Sequence, residues 1–347
     1  MDNFVRKKRV LLVVDWQVKP AEWSFLNAVS LYGHSYEILD SDLSIKYSSK
    51  FEKAIYRWGG YIKLGFKAYL RRGNYDVVLT WQWVAGMWYG IFARIFGGGG
   101  PKLILMGFFY TKRKSRIYSF LRYSLIRFAL SAVDRVICYS SHEVKYHHRF
   151  FRCKNEKFVF IHLGIDTKRS DIQKALNTPV ENYIFSPGTS NRDYATLFEA
   201  VKDLDIKVVV ITKPFNIKGL KIPENVEVYF DIYGEQYRQF LWKSKFVVVS
   251  LDDVEVSSGQ MVLLDCLLYG KALIITHACG TVDYIINGKD GLLVSAHNSK
   301  ILRENILYLL EHPDEISRIG ENARRTVSEK YSMLQFAKKV SDLISSV

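Results

Sequence analysis

Short runs of apolar, largely β-branched residues alternate along the chain with longer segments of helical period. In the first half the runs are Val10–Val14, Tyr36–Leu39, Asp76–Thr80, Lys102–Met106, Arg135–Tyr139 and Phe158–Ile161. In the second half they are Tyr183–Ser186, Lys207–Thr212, Val226–Phe230, Phe246–Ser250, Ala272–Thr276 and Gly291–Val294. Hydrophobicity within each run is continuous rather than alternating, which is the pattern of a strand covered on both faces in a parallel sheet. Strand, helix, strand repeated through both halves predicts an α/β protein of two doubly wound, Rossmann-like domains. A length of 347 residues fits, because one core stops growing at about 250–300. The polar stretch Asp166–Glu181 is the expected linker, giving domains at 1–170 and 171–330 and a last helix at 331–347 that can pack back on the first domain. Gly97–Gly100 reads as a helix-to-strand loop.

Two domains of this kind are expected to face each other across a cleft, with ligands held at the carboxyl ends of the strands. Two loops of the second domain carry candidate chemistry. After the strand Phe246–Ser250 comes an acidic loop, then Ser257-Ser258-Gly259-Gln260, then an apolar helix closed by Gly270. Free N–H groups at such a helix start, with the helix dipole behind them, form an anion site. Asp265, two turns further on, can accept hydrogen bonds from sugar hydroxyls. An ordinary N-cap and a solvent-facing Asp account for the same residues equally well. The second loop is Ser186-Pro187-Gly188-Thr189-Ser190-Asn191-Arg192-Asp193, where small residues allow close backbone approach and Arg192 can fork across phosphate oxygens. Taken alone, these residues are better accounted for by a polar strand-to-helix loop with an exposed arginine. Lys213, ending the next strand, adds a further cation. His147 and His148 point to different faces of a helix and are expected to cap a surface turn.

Composition narrows the class. Hydrophobic residues at 48% and charged residues at 24% exclude collagen-like and disordered chains. Cys138, Cys153, Cys266 and Cys279 have no zinc spacing and read as buried thiols in a reducing compartment. The apolar run after the basic N-terminus ends at Asp15, too short for a signal peptide, and the window Val84–Phe96 is too short to span a bilayer. The expected location is therefore cytoplasmic. Charge is distributed unevenly. Residues 1–170 hold 29 Lys and Arg against 12 Asp and Glu, a balance of +17, while 171–347 hold 20 against 23, a balance of −3. The first half should face something anionic, a nucleic acid or a lipid surface.

The second half resembles the nucleotide-sugar domain of glycosyltransferase family 4, the retaining GT-B enzymes. The resemblance rests on the loop after the first strand, the Glu-x7-Glu region at 257–265 and Leu267-Leu268-Tyr269-Gly270-Lys271-Ala272-Leu273-Ile274. Gly280-Thr281-Val282-Asp283-Tyr284-Ile285, Asn287–Val294 and Arg324–Tyr331 continue it, and Ala132–Glu143 looks like the family's last strand of the first domain and its Ser loop. It runs from about residue 130 to the end; residues 1–110 match only in strand rhythm. The resemblance implies a GT-B fold and transfer from a nucleoside-diphosphate sugar. Asp265 then falls on the carboxylate that holds the ribose, and Ser257 on the one that contacts the donor sugar; either Glu255 substitutes there or Ser257 suits a different sugar. Arg192 falls on the diphosphate cation, and Thr189 stands where the family has a second. The family's Gly-rich loop after the first strand is replaced by Asp15-Trp16-Gln17-Val18-Lys19-Pro20, so acceptor recognition is expected to be unusual.

The implied mechanism is retaining transfer with the leaving diphosphate stabilised by Arg192, Lys213 and the N–H groups of Ser258, Gly259 and Gln260. The catalytic set is Arg192, Lys213, Glu255 and Ser257, and the nucleotide-sugar set Gly188, Thr189, Tyr233, Ser258, Gly259, Gln260 and Asp265. Neither a metal nor another cofactor is expected. In the first half, Phe51, Ile55, Trp58, Ile62, Phe66 and Tyr69 recur at helical spacing beside Lys53, Arg57, Lys63 and Lys67. Ile117, Phe120, Leu121, Leu125 and Phe128 do so beside Lys112, Arg113, Lys114 and Arg116. A basic helix with aromatics on its opposite face suits an anionic bilayer. Alternatively each stripe packs on the sheet and the charges form a solvated face. The expected partners are a nucleoside-diphosphate sugar, a lipid-linked or saccharide acceptor, and the inner face of the cell membrane. An inverting GT-B transferase or sugar-nucleotide epimerase is the alternative. A basic nucleic-acid-binding protein is disfavoured, because no reading motif accompanies the charge.

Overall fold

The computed structural model describes residues 7–43, 50–97, 99–110 and 115–347, without the side chains of 50–55 and 155. In the first half, strands β1 (Arg9–Val13), β2 (Ser35–Leu39), β3 (Val77–Thr80), β4 (Lys102–Met106), β5 (Arg135–Cys138) and β6 (Phe158–Phe160) alternate with helices α1 (Ser24–Val29), α2 (Lys50–Arg71), α3 (Trp83–Phe96), α4 (Arg116–Leu130) and α5 (Ser141–Phe151). The strands form one parallel sheet in the order β2-β1-β3-β4-β5-β6. Its core joins Leu11, Val78 and Leu105 of the strands to Leu64 and Ala68 of α2, Tyr89 of α3 and Ala129 of α4.

The second half holds β7 (Tyr183–Pro187), β8 (Lys207–Thr212), β9 (Val226–Phe230), β10 (Phe246–Val249), β11 (Leu273–Thr276) and β12 (Leu292–Val294), with α6 (Ile172–Leu176), α7 (Tyr194–Val201), α8 (Gly234–Lys243), α9 (Gln260–Leu268), α10 (Ser299–Glu311) and α11 (Pro313–Lys330). This sheet is also parallel, in the order β12-β11-β10-β7-β8-β9. Successive residues of β10 enter different cores: Val247 and Val249 meet Leu263 of α9 and Ala323 of α11, while Phe246 and Val248 meet Leu197 of α7 and Ile306 of α10. Helices on both faces are the reason the strands read as unbroken apolar runs. Gly270 closes α9 at φ +64, where a Cβ would stand 3.3 Å from the Gly320 carbonyl of α11; this close approach seats the end of α9 against α11.

The last helix, α12 (Met333–Ser346), belongs from Leu334 onward to the first unit, which comprises Met1–Ile161 and Leu334–Val347; the second unit is His162–Met333. Phe336 packs on Phe25, and Lys8 Nζ donates to the Ile344 carbonyl at 2.8 Å. The stretch Asp166–Glu181 is not a free linker. It lies inside the second unit, where it carries α6 and side chains that reach α9. His147 departs from the surface-turn expectation as well. It is buried among Phe108, Phe151 and Phe158, and burial pushes its pKa down to about 4. Spacing shows that two adjacent histidines diverge, but not that one of those directions is the core. Three cysteines are buried and Cys153 is half-buried.

Candidate functional site

In the second sheet the strand order reverses between β7 and β10, so the loops leaving these neighbours diverge and leave room for a ligand. The β7 loop turns at Gly188, φ +134, where a Cβ would run into the Arg192 guanidinium. The Gly188 carbonyl accepts from Tyr194 Oη at 2.7 Å and Thr212 Oγ1 at 2.8 Å, and Asn216 donates to the Thr189 carbonyl at 3.0 Å. Arg192 is held by its own loop, Nε donating to Pro187 O at 3.1 Å and Nη1 to Ser190 O at 2.7 Å. A guanidinium has five N–H donors, and among the described residues no carboxylate pairs with this one. Burial lowers its pKa, so the site holds a cation that lacks a counter-ion.

The β10 loop supplies the facing wall. Gly259, φ +88, starts α9 with no side chain capping the first N–H groups. Asn191, in the left-handed region at φ +55, ties the two loops together: Nδ2 donates to Ser258 Oγ and Asp253 O, both at 2.8 Å, and Oδ1 accepts from Asp253 N at 2.8 Å. Gly280 lies so close that a Cβ there would stand 2.8 Å from Ser258 N and 2.7 Å from Gln260 Nε2. Ser257 is buried, its hydroxyl accepting from the Gln260 amide, whereas Glu255 is exposed. Together these bonds hold an open helix start beside an uncompensated cation, an arrangement that binds anionic oxygens.

Asp265 sits one face further along α9. Burial pushes its pKa up to about 6, with Asp171 adding to that and Arg169 and Arg238 opposing it. Arg169 Nη1 donates to Asp265 Oδ1 at 3.4 Å and Nη2 to Asp171 Oδ2 at 2.8 Å; Arg238 pairs with Asp171 at 2.8 Å, and Tyr269 Oη donates to Asp171 at 3.0 Å. The carboxylate is therefore steered by guanidiniums rather than facing open solvent. Tyr237 of α8 is a residue that sequence reasoning missed. Its ring packs on Phe185, burial pushes its phenol well up, and that phenol feels both the Asp265 carboxylate and the Arg192 guanidinium. It is coupled electrostatically to both candidate ligand-binding groups, and no local motif marks it. Lys213 pairs instead with Asp231, which also accepts from the exposed Tyr233 hydroxyl at 3.1 Å.

The first unit presents a different surface. On α2, Tyr61, Leu64, Ala68 and Tyr69 face the core, whereas Trp58, Ile62 and Phe66 share the exposed side with Lys63 and Lys67. On α4, Ile126, Ala129 and Leu130 are buried, whereas Ile117, Phe120, Leu121, Leu125 and Phe128 are exposed beside Arg116. Neither opposed faces nor sheet-packed stripes describe this, since apolar and basic side chains lie on one solvent-facing side. Lys112, Arg113 and Lys114 lie outside the described residues. Among the described residues no helix is long and apolar enough to cross a membrane.

Residues 44–169 match the family model described as Glycosyltransferase Family 4, and residues 171–326 match Glycosyl transferases group 1. The chain is 27% identical over 143 residues to an uncharacterized glycosyltransferase of Methanocaldococcus jannaschii, a match covering 39% of each protein. It is 37% identical over 62 residues to the trehalose synthase of Thermococcus litoralis, covering 18% of this chain and 15% of that enzyme. The matched regions thus span well under half the length of these relatives. Among solved structures, the fold resembles sucrose-phosphate synthase from Thermosynechococcus elongatus (TM-score 0.73, 16% identity, 98% of this chain and 99% of that one). It also resembles HepE from Anabaena in complex with UDP-glucose (TM-score 0.67, 15% identity, 98% and 100%).

Proposed function

The chain is a glycosyltransferase of the GT-B fold, its halves matching the family 4 and group 1 models in turn, and from that premise we propose that its second unit binds a nucleoside-diphosphate sugar and gives up the sugar to a lipid-linked or saccharide acceptor. The observation that carries the donor half is Arg192, a half-buried cation without a counter-ion, set beside the uncapped start of α9. A diphosphate supplies the missing negative charge, and Asp265 supplies an acceptor for ribose hydroxyls. The HepE structures contain UDP, UDP-glucose, or UDP with glucose, which supports a nucleotide-sugar donor here.

In the proposed reaction the bond from the anomeric carbon to the β-phosphate oxygen breaks, with its electron pair passing to that oxygen. The new bond forms on the same face to an acceptor hydroxyl, whose proton passes to the leaving diphosphate oxygen, so the configuration is retained. Charge develops on the leaving diphosphate, where the Arg192 guanidinium and the N–H groups from Ser258 to Gln260 stabilise it without a metal or other cofactor. Lys213 contributes on release from Asp231. Ser257 and Glu255 line the donor-sugar side, together with Gly188, Thr189 and Tyr233. The exposed apolar and basic side of α2 and α4 would rest on the anionic inner face of the cell membrane, bringing soluble donor to lipid-borne acceptor. Titration calorimetry with UDP, GDP, CDP and TDP and their sugars tests the donor half. One nucleotide should bind at micromolar strength, and no binding tighter than about millimolar across the set would overturn it.

A further inference from the structure

The first sheet has its own switch point, between β1 and β3, and tryptophans gather at the residues that follow those strands. Trp16, after β1, lies 5.3 Å from Trp23 and 5.9 Å from Trp81, which follows β3; Trp23 and Trp81 are 5.2 Å apart. The rings meet mostly edge to face, and all three are half-buried rather than enclosed, with Phe25 behind Trp81 at 5.0 Å. Next to them Asp15 is buried. Its Oδ2 accepts from Tyr61 Oη at 2.9 Å, and Tyr61 in turn accepts from Arg57 Nε at 3.2 Å, while Oδ1 has no hydrogen-bond partner among the described residues. The loop is held in place by Val18 N donating to Asp40 Oδ2 and Leu43 N to Asp15 O, both at 3.1 Å.

We propose that this corner is a saccharide-binding site that seats one neutral sugar ring of the acceptor. A pyranose is amphipathic, with C–H groups on its faces and hydroxyls around its rim. The indole faces carry the negative side of an aromatic quadrupole and attract those C–H groups. A carboxylate held by Tyr61, with one oxygen open, accepts hydrogen bonds from rim hydroxyls, and aromatic walls with a few fixed polar atoms are what small-ligand sites are built from. The buried acid also discriminates, because a phosphate placed beside Asp15 is repelled where a neutral ring is not. The inference rests on the transferase reading above and narrows it: the acceptor already carries sugar where it enters the enzyme, and a bare lipid phosphate does not fit this corner.

The test uses the full chain and two parallel titrations. In the first, methyl α-D-glucopyranoside, methyl β-D-galactopyranoside, N-acetyl-D-glucosamine, maltotriose and inorganic phosphate are followed by tryptophan fluorescence and saturation-transfer NMR. In the second, UDP is followed by calorimetry. At least one glycoside should bind and phosphate should not. Trp16→Ala should weaken that binding about tenfold, as should the isosteric Asp15→Asn, with UDP affinity unchanged in both. If Trp16→Ala disturbs folding, as judged by circular dichroism, Asp15→Asn decides alone. No response to any glycoside while UDP binds normally overturns this site and leaves the donor reading intact. A response to phosphate instead, or one undiminished in both variants, also overturns it. Glycoside binding in a protein that binds none of the nucleoside diphosphates would overturn the donor reading but not the site.

Discussion

Replacing Arg192 by Met separates binding chemistry from folding, because the two effects have opposite structural origins. The substitution removes hydrogen bonds to the Pro187 and Ser190 carbonyls, each worth about 1 kcal/mol net. It also removes a cation that burial disfavours and that no carboxylate among the described residues repays. These contributions oppose, so the unfolding free energy should move by less than about 2 kcal/mol. Against bound diphosphate nothing offsets the loss. A unit charge pair about 4 Å apart is worth roughly 4 kcal/mol at the effective dielectric of a partly exposed site, before desolvation is subtracted. Preorganised donors aimed at a leaving group cost about 10²–10³ in turnover when removed. Arg192→Met should therefore bind the cognate nucleotide at least about tenfold more weakly and turn over about 10²–10³ more slowly, while its urea midpoint hardly shifts. Arg192→Lys should fall between, since an ammonium keeps the charge but cannot reproduce the planar fork. The measurements are urea melts, calorimetry and single-turnover rates on the same preparations. A Met variant that loses several kcal/mol of stability yet binds nucleotide like the parent would return Arg192 to the loop's own architecture.

Asp265 accepts ribose hydroxyls at both oxygens only when ionised, and its pKa is raised to about 6, so nucleotide affinity should drop by up to about tenfold between pH 7 and pH 5; Asp265→Asn should flatten that profile, and an unchanged slope would exclude Asp265 from the contact. The same raised pKa favours the folded state at acid pH, an advantage lost as pH rises through about 6, so stability and affinity should respond to this group in opposite directions. His147 has the reverse sign: its folded pKa lies near 4, below the unfolded value of about 6.5, so its contribution is complete above 6.5 and up to about 3 kcal/mol is lost as pH falls to 4. Denaturant titrations at pH 7 and pH 4.5 should show that loss, and His147→Phe should reduce it; His34, also lowered by burial in the same unit, contributes with the same sign. On vesicles, Lys63→Glu with Lys67→Glu should weaken binding to anionic lipid by well over tenfold at low salt, at about 1 kcal/mol per charge removed and again per charge added. Trp58→Ser with Phe120→Ser should weaken it with less dependence on salt, and equal partitioning of all variants onto neutral and anionic vesicles would refute the electrostatic account.

Every strand was legible before the structure, and Lys102–Met106, Lys207–Thr212 and Val226–Phe230 match their predicted bounds residue for residue. For the inner strands the reason is local: a strand buried on both faces must be apolar at consecutive positions, and that requirement is written into neighbouring residues. The edge strand Val226–Phe230, mostly outside the core and carrying Glu227, is read instead from its β-branched and aromatic residues. The loop glycines were legible on similar grounds. Gly188 and Gly259 occupy positive φ, which other residues reach only at a cost, so their presence directly after a strand or before a helix marks a turn.

What depends on partners far away in the chain could not be read in this way. The helix α2 is apolar on two sides, with Tyr61, Leu64 and Tyr69 on one and Trp58, Ile62 and Phe66 on the other. Its own period cannot say which side the sheet covers; packing against α3 decides, and the stripe singled out from spacing is mostly the uncovered one. Asp265 was picked out as a candidate ligand group, but its pKa is raised by burial and then adjusted by Arg169 and Asp171, 96 and 94 residues earlier, which arrive through a stretch that looks like a linker. Tyr237 feels the charges of Arg192 and Asp265 because its ring packs on Phe185 of β7, and Trp16, Trp23 and Trp81 become one surface because β1 and β3 are neighbours. Sequence alone determined the elements and the residues able to bind charge, because backbone conformation and side-chain chemistry are local properties. Which of those residues share a site, and which apolar faces stay in water, was decided by the order of strands in the two sheets, since only that order brings distant segments within a few ångströms of one another.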